Sequence, residues 1–340
     1  MQDTYNIAIV GATGMVGEAL LSILAERNFP VDKLFLLAGE NSAGTRLEYE
    51  GNYHKVGLVD AFDFSQVHIA FFSAGSSVSA EYAPKAAQSG CVVIDNTAHF
   101  RRDADVPLVV PEVNSHAIGD YSMRGIIANP NCSTIQMLVA LKPIHDAVKI
   151  TRINVSTYQA VSGAGKKGIK ELAAQTSKLL NGLDVKTSAF TKQIAFNALP
   201  HIGEFHESGY TLEEMKMIWE TQKILEDDEV MVNPTAVRVP VFFGHSEALH
   251  IETREKITVE MARDLLSRAP GVSLMDQAID GGYPTAVTEA ANKDDVFVGR
   301  IREDLSYFNG LNLWVVADNV RKGAALNSIQ IAEILINEYL

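Results

Sequence analysis

Two hydrophobic rhythms divide the chain. Through the first 130 residues, short runs that are apolar at nearly every position recur at 5–10, 34–38, 67–73, 91–96 and 125–128. Between them lie stretches of helical spacing, at 18–27 (Ala19, Leu20, Ile23 and Leu24 on one face) and 78–89. Runs apolar on both faces predict strands covered on both sides. Alternation with helices predicts βαβ crossovers and a parallel sheet. From residue 150 the rhythm changes. Residues 150–161 alternate apolar and polar with period two, the mark of a half-buried strand in a second, mixed or antiparallel sheet. Helices are expected at 135–147, 169–180, 212–225 and 259–267, and strands at 296–302 and 311–317. Residues 235–243 and 247–253 are expected to form a hairpin bent near Gly244-His245-Ser246. Residues 185–209 read as irregular. The chain closes with a helix over 319–339 whose stripe, Ala325, Ile329, Ala332, Leu335 and Ile336, suits packing on the first domain.

Composition narrows the class. A chain of 340 residues is long enough for two cores, and 47% hydrophobic with 21% charged residues is globular usage. The net charge of −13 makes a nucleic-acid backbone an unfavourable partner. It also means that an anionic substrate needs cations concentrated at one place. Two cysteines, Cys91 and Cys132, lack CxxC spacing and suit a reducing cytosol. No basic stretch followed by an apolar leader opens the chain, and no apolar run has membrane length, so a cytoplasmic location is expected.

Four stretches carry candidate chemistry. Gly11-Ala12-Thr13-Gly14-Met15-Val16-Gly17 follows the first strand and opens a helix. Glycines there let backbone approach a pyrophosphate, and the helix start stabilises its charge. That context predicts a Rossmann-like dinucleotide-binding domain. At the end of the second strand Glu40 favours NAD, whereas Ser42 with Arg46 favours NADP. In Asn129-Pro130-Asn131-Cys132-Ser133-Thr134, Pro130 delays the helix to Asn131 or Cys132. A thiol at that point meets the positive end of the helix dipole, which favours thiolate and predicts a nucleophile. The same backbone N–H groups would hold an oxyanion. Cys91, inside an apolar run, reads as core. Arg101 and Arg102 in a loop fit either phosphate or solvent. A second glycine-rich turn, Ser162-Gly163-Ala164-Gly165, also precedes a helix. Glu213 with Lys216, and Glu220 with Lys223, have the spacing of surface ion pairs. Arg238 falls on the strand face opposite Val237, Val239, Val241 and Phe243. His245, after a glycine at a strand end, suits projection into a cleft. His201 and His206 flank Glu204, but Pro200 and Gly203 break any helical ligand face, so no metal is expected.

Together the Gly11–Gly17 turn, Asn129–Thr134, Gln159 ahead of Ser162-Gly163-Ala164-Gly165, and Arg238 with Gly244-His245-Ser246 resemble the aspartate-β-semialdehyde dehydrogenase family. The resemblance runs from the first strand to Asp318-Asn319. It implies an α/β chain with an NADP-binding domain over 1–131, a catalytic and dimerisation domain over 132–318, and a last helix returning to the first. The implied reaction is the reversible, NADPH-dependent reduction of L-aspartyl-4-phosphate to aspartate semialdehyde and phosphate, a step of lysine, methionine and threonine biosynthesis. Carried over by position, Cys132 forms the thioester and His245 is the acid/base. Gln159, Arg238 and Glu213 hold the substrate, and Arg101, Lys216 and Asn131 the phosphate, with Glu220 and Lys223 the alternative to Glu213 and Lys216. Gly11, Thr13, Gly14, Met15, Val16, Asn41, Ser42, Ser162, Gly163 and Asn319 hold the cofactor. Homodimers or homotetramers are implied. Glu40-Asn41 stands where many members carry an arginine, which leaves dual NAD/NADP use open. Another acyl phosphate, such as N-acetyl-glutamyl phosphate, is the second substrate reading. Glu213 discriminates, since a carboxylate suits a free α-ammonium and not an amide.

Overall fold

The computed structural model describes residues 4–340, and the chain divides into two compact units. One runs to Pro130 and resumes over Ala324–Leu340; the other is Asn131–Gly323. Asn131 therefore groups with the second unit, as do residues 319–323, which the sequence pattern assigned to the last helix.

The first unit contains β1 (Tyr5–Val10), α1 (Met15–Glu26), β2 (Val31–Ala38), β3 (Arg46–Tyr49), β4 (Asn52–Lys55) and β5 (Gly57–Leu58). These are followed by β6 (Ile69–Phe72), α2 (Ser76–Gln88), β7 (Val92–Asp95), α3 (Pro111–Asn114) and β8 (Ile126–Ala128). Its main sheet has the order β5-β2-β1-β6-β7-β8 and is parallel throughout. Every residue of β6, β7 and β8 is buried, and all are apolar but Asp95 at the end of β7, which accepts from the hydroxyls of Ser79 and Thr97. Cys91 is buried just before β7, and burial pushes its thiol up to about 12. The antiparallel pair β3–β4 has no counterpart in the apolar pattern. Gly75 is the N-cap of α2, and no side chain caps that helix.

The second unit contains α4 (Cys132–Val148), β9 (Ile150–Gln159), α5 (Gly165–Leu180), α6 (Leu212–Leu225), β10 (Met231–Arg238) and β11 (His245–Thr253). After these come α7 (Val259–Ser267), β12 (Val272–Leu274), β13 (Val296–Glu303) and β14 (Gly310–Ala317). Its sheet is mixed, with the order β10-β9-β11-β14-β13-β12. The expected hairpin between 235–243 and 247–253 does not form. β10 pairs parallel with β9, and β9 pairs antiparallel with β11, so β9 separates them. Segment 239–244 is a crossover past the end of β9, not a turn. This order gathers the C-terminal ends of β9, β10 and β14 with the start of β11 at one edge: Gln159 lies opposite Arg238, and His245 opposite Ala317. The chain then returns to the first unit through α8 (Leu326–Glu338), where Leu326, Ile329, Ala332 and Leu335 join Leu20, Leu24 and Ile9 in one core. The turn Arg321–Ala325 is wound as π-helix, so regular helix begins later than expected.

Candidate active site

The sheet edge of the second unit carries a face that should be apolar and is not. On β10 the inward residues are Pro234, Ala236 and Arg238, while Val237 is only half-buried. Arg238 is buried, pairs in backbone with Leu199, and donates from Nη1 to the Ala160 carbonyl at 2.8 Å. Gln159 Oε1 lies at 3.5 Å from the same nitrogen. Burial lowers the Arg238 pKa and Glu213 opposes that shift; Cys132 is the other group whose charge it feels.

Asn131 sets the start of α4. Its extended backbone (φ −63°, ψ 142°) puts Oδ1 where it accepts the N–H groups of Ser133 at 3.0 Å and Thr134 at 3.4 Å. Cys132 is thereby the first helical residue, at the positive end of a 17-residue helix. The cap takes up the Ser133 and Thr134 N–H groups. Asn131 Nδ2 donates to Glu213 Oε1 at 2.9 Å, and its backbone N–H to Glu220 Oε2 at 2.6 Å. Neither glutamate belongs to a surface ion pair as its spacing suggested, for both are buried. Glu213 does bind Lys216 at 3.1 Å. Burial works to raise its pKa, yet Lys216, Asn131 and Arg238 hold the carboxylate down at about 2.

Gln159 Nε2 reaches Ser133 Oγ at 3.1 Å, Thr157 Oγ1 at 3.3 Å and Glu213 Oε1 at 3.3 Å, joining β9 to α4 and α6. His245 is wholly buried, and its Nδ1 accepts the Ala160 N–H at 3.1 Å. The ring proton of the neutral imidazole is therefore assigned to Nε2, which has no hydrogen-bond partner among the described residues. Burial, reinforced by Arg238, pushes the ring pKa down to about 3, so the neutral form prevails.

Two glycines shape the surroundings. A Cβ on Gly163 would lie 2.6 Å from Arg238 Nη1 and 3.5 Å from His245 Nε2. One on Gly323 would lie 2.8 Å from Cys132 Cβ. Asn319 Oδ1 accepts from Ser162 Oγ and from the Gly244 N–H, both at 3.0 Å, locking the glycine turn to the residue before His245. Cys132, His245, Gln159, Arg238, Glu213, Lys216, Asn131, Ser162, Gly163 and Asn319 thus share one unit.

Arg101, Thr13 to Val16, Asn41 and Ser42 belong to the other. There Gly11 has φ +93°, and a Cβ on it would lie 2.9 Å from the backbone of Ser73 and Ala74. A Cβ on Gly17 would lie 2.3 Å from Gly11 O. Gly14 occupies the N-cap of α1 with no side-chain cap. The helix start is thus bare backbone, the form that suits a phosphate. Glu40 and Asn41 are exposed and Ser42 half-buried on the turn after β2. Arg101 is buried and donates from Nη2 to Asn96 O at 3.0 Å.

Family models match both parts: "Semialdehyde dehydrogenase, NAD binding domain" over residues 6–121 and "Semialdehyde dehydrogenase, dimerisation domain" over 141–322. Aspartate-semialdehyde dehydrogenase 2 of Vibrio cholerae is 60% identical over 339 residues, covering 100% of both chains. This chain belongs to the aspartate-semialdehyde dehydrogenase family. A relative from Aquifex aeolicus with that family name is 54% identical over 338 residues, 99% of each chain. The crystal structure of Vibrio cholerae aspartate semialdehyde dehydrogenase II complexed with ASA superposes with a TM-score of 0.98 at 60% identity, covering 99% of this chain and all of that one. Membership brings a nucleotide-binding domain and a dimerisation domain, and among the described residues no helix is long and apolar enough to cross a membrane.

Sequence reasoning offers Glu220 only as a surface charge or as an alternative to Glu213, not as the partner of the Asn131 N–H, and it misses Ser133, which is there only a neighbour of the cysteine. Their proximity to Asn131 and Gln159 is tertiary, with no local signal to reveal it.

Proposed function

We propose that this chain reduces L-aspartyl-4-phosphate to L-aspartate 4-semialdehyde and phosphate, reversibly and with NADPH, through a thioester on Cys132. The observation that carries the reading is the set around the start of α4: a half-buried thiol at a helix N-terminus, a buried guanidinium that feels it, a buried imidazole whose Nε2 has no partner among the described residues, and a buried carboxylate held ionised.

The Cys132 thiolate attacks the acyl carbonyl, the C–S bond forms and the C–O bond to phosphate breaks. Arg238 binds the α-carboxylate with its planar fork, for which a lysine has no equivalent. Glu213 binds the α-ammonium. The Lys216 ammonium on Glu213 marks the place that group takes, and Lys216, Asn131 and Arg101 are the residues assigned to the phosphate. Gln159 orients the acyl group. When bound, the cofactor supplies the hydride that reduces the thioester. His245 meets the oxygen of the tetrahedral adduct through Nε2–H and moves the proton as the adduct collapses to aldehyde and thiolate.

The residues fit a dinucleotide. Gly11, Thr13, Gly14, Met15 and Val16 present backbone to its phosphates; Asn41 and Ser42 meet the adenosine ribose, and Ser162, Gly163 and Asn319 the remainder. NADP is the preferred form, Ser42 and Arg46 suiting a 2′-phosphate, and exposed Glu40 leaves NAD as a second carrier. The chain acts as a homodimer or homotetramer in the cytoplasm. N-acetyl-glutamyl phosphate is disfavoured, because it lacks the cation that Glu213 calls for. The test is phosphate-dependent reduction of NADP with aspartate semialdehyde, followed at the nicotinamide absorbance. Turnover that ignores phosphate would overturn the reading.

A further inference from the structure

One buried carboxyl in the second unit has no place in this scheme. Glu247 follows His245 by two residues on the inward face of β11 and is wholly buried. The polar side chains facing it are Gln136 and Ser133, from the first turns of α4. Neither makes a hydrogen bond of ordinary geometry with its two oxygens, and Gln136 Oε1 likewise has no partner among the described residues. An isolated buried carboxylate is costly. Burial pushes the Glu247 pKa well above the carboxylate range, so the group is a neutral acid. A neutral acid has one O–H to give and a carbonyl to accept with. A neutral Glu247 has the groups that all three orphaned oxygens call for: an O–H to give to Gln136 Oε1 and a carbonyl to accept the Ser133 O–H.

That assignment fixes Ser133 as an acceptor toward Gln159, whose Nε2 lies 3.1 Å away. Without Glu247 the serine proton turns toward the amide instead. It then favours the opposite flip, which sets Gln159 oxygen against the Glu213 carboxylate and amide nitrogen against Arg238. We propose that Glu247 is a positioning residue: its buried carboxyl orients the Ser133 hydroxyl, which holds Gln159 with Nε2 toward Glu213 and Oε1 toward Arg238. This rests on the reading of Gln159 as the residue that orients the acyl group.

The test compares Glu247→Gln, Glu247→Leu, Ser133→Ala and Gln159→Leu in steady-state turnover of aspartate semialdehyde, with cofactor affinity measured alongside. Glu247→Gln keeps an uncharged donor and acceptor and should hold kcat/KM within about threefold. Glu247→Leu and Ser133→Ala should each lower it by about 10- to 100-fold with cofactor affinity unchanged. The double variant should be no worse than the poorer single one, because both break one chain of contacts. Wild-type kinetics in Glu247→Leu, equal damage from Glu247→Gln, or multiplying effects in the double variant would each overturn the proposal. If Glu247→Leu does not fold, Glu247→Met takes its place. Gln159→Leu separates the two levels. If it is impaired while Glu247→Leu is not, only the positioning role falls; if it is unimpaired, the reading of the site falls as well.

Discussion

The two units handle charge in opposite ways. The first buries largely apolar central strands and leaves bare backbone at the start of α1: a glycine at φ +93°, a second that admits close helix approach, and a helix with no side-chain cap. The second spends the inward face of its strand ends on Gln159, Arg238, His245 and Glu247, all buried. Binding by backbone tolerates many side chains around it. Catalysis by buried polar groups requires each to be held by the next, as Asn131 holds both Glu213 and the helix start.

Substitutions sharpen this contrast. Cys132→Ser should lower turnover by about 10⁴-fold or more while leaving cofactor affinity intact, and substantial residual activity would remove the covalent role. His245→Asn should lower kcat by about 10²–10⁴-fold, read in the same assay. Arg238→Lys keeps the charge and loses the fork, so kcat/KM for aspartate semialdehyde should fall by about 10- to 100-fold; a near-wild-type value would free Arg238 from the carboxylate. In the first unit the pattern should reverse. Gly17→Ala places a Cβ against Gly11 O and should weaken cofactor binding about tenfold and destabilise the fold by about 1–3 kcal/mol. Titration of the cofactor and thermal unfolding decide that case.

The smallest expected effect is on acid stability. His245 titrates near 3 folded and near 6.5 unfolded, so the unfolded chain binds the extra proton between those values. The stability it contributes is full above pH 6.5 and is lost as pH falls toward 3. Glu213, near 2 folded against 4.5 unfolded, contributes above pH 4.5 and loses that share as pH falls toward 2. Glu247 has the opposite sign, its contribution being present below 4.5 and lost as pH rises through its folded pKa. Melting curves from pH 7 to 4.5 should show His245→Asn less acid-sensitive than wild type by a few degrees. Parallel curves would contradict the buried neutral imidazole.

Legibility in the sequence follows the same division. The parallel sheet could be read because burial on both faces leaves unbroken apolar runs such as Ile126–Ala128. The cysteine motif could be read because Pro130 and Asn131 fix a helix start locally. Pairing in the second sheet could not. β10 and β11 are neighbours in sequence, and nothing in 235–253 announces that β9 lies between them. Periodicity separated Arg238 from its valines but left open which face is inward. Glu220 looked like a solvated charge because the atom it serves, the Asn131 N–H, lies 89 residues away.

The missing side chains at Gly163 and Gly323 have a practical consequence. One stands against the guanidinium and imidazole, the other against the carbon that carries the sulfur. The reaction vessel is walled on two sides by atoms that are not there, so it has no slack for added bulk at either place. A redesign toward longer acyl chains has to carve room from other residues, and any library that diversifies 163 or 323 will consist largely of dead clones.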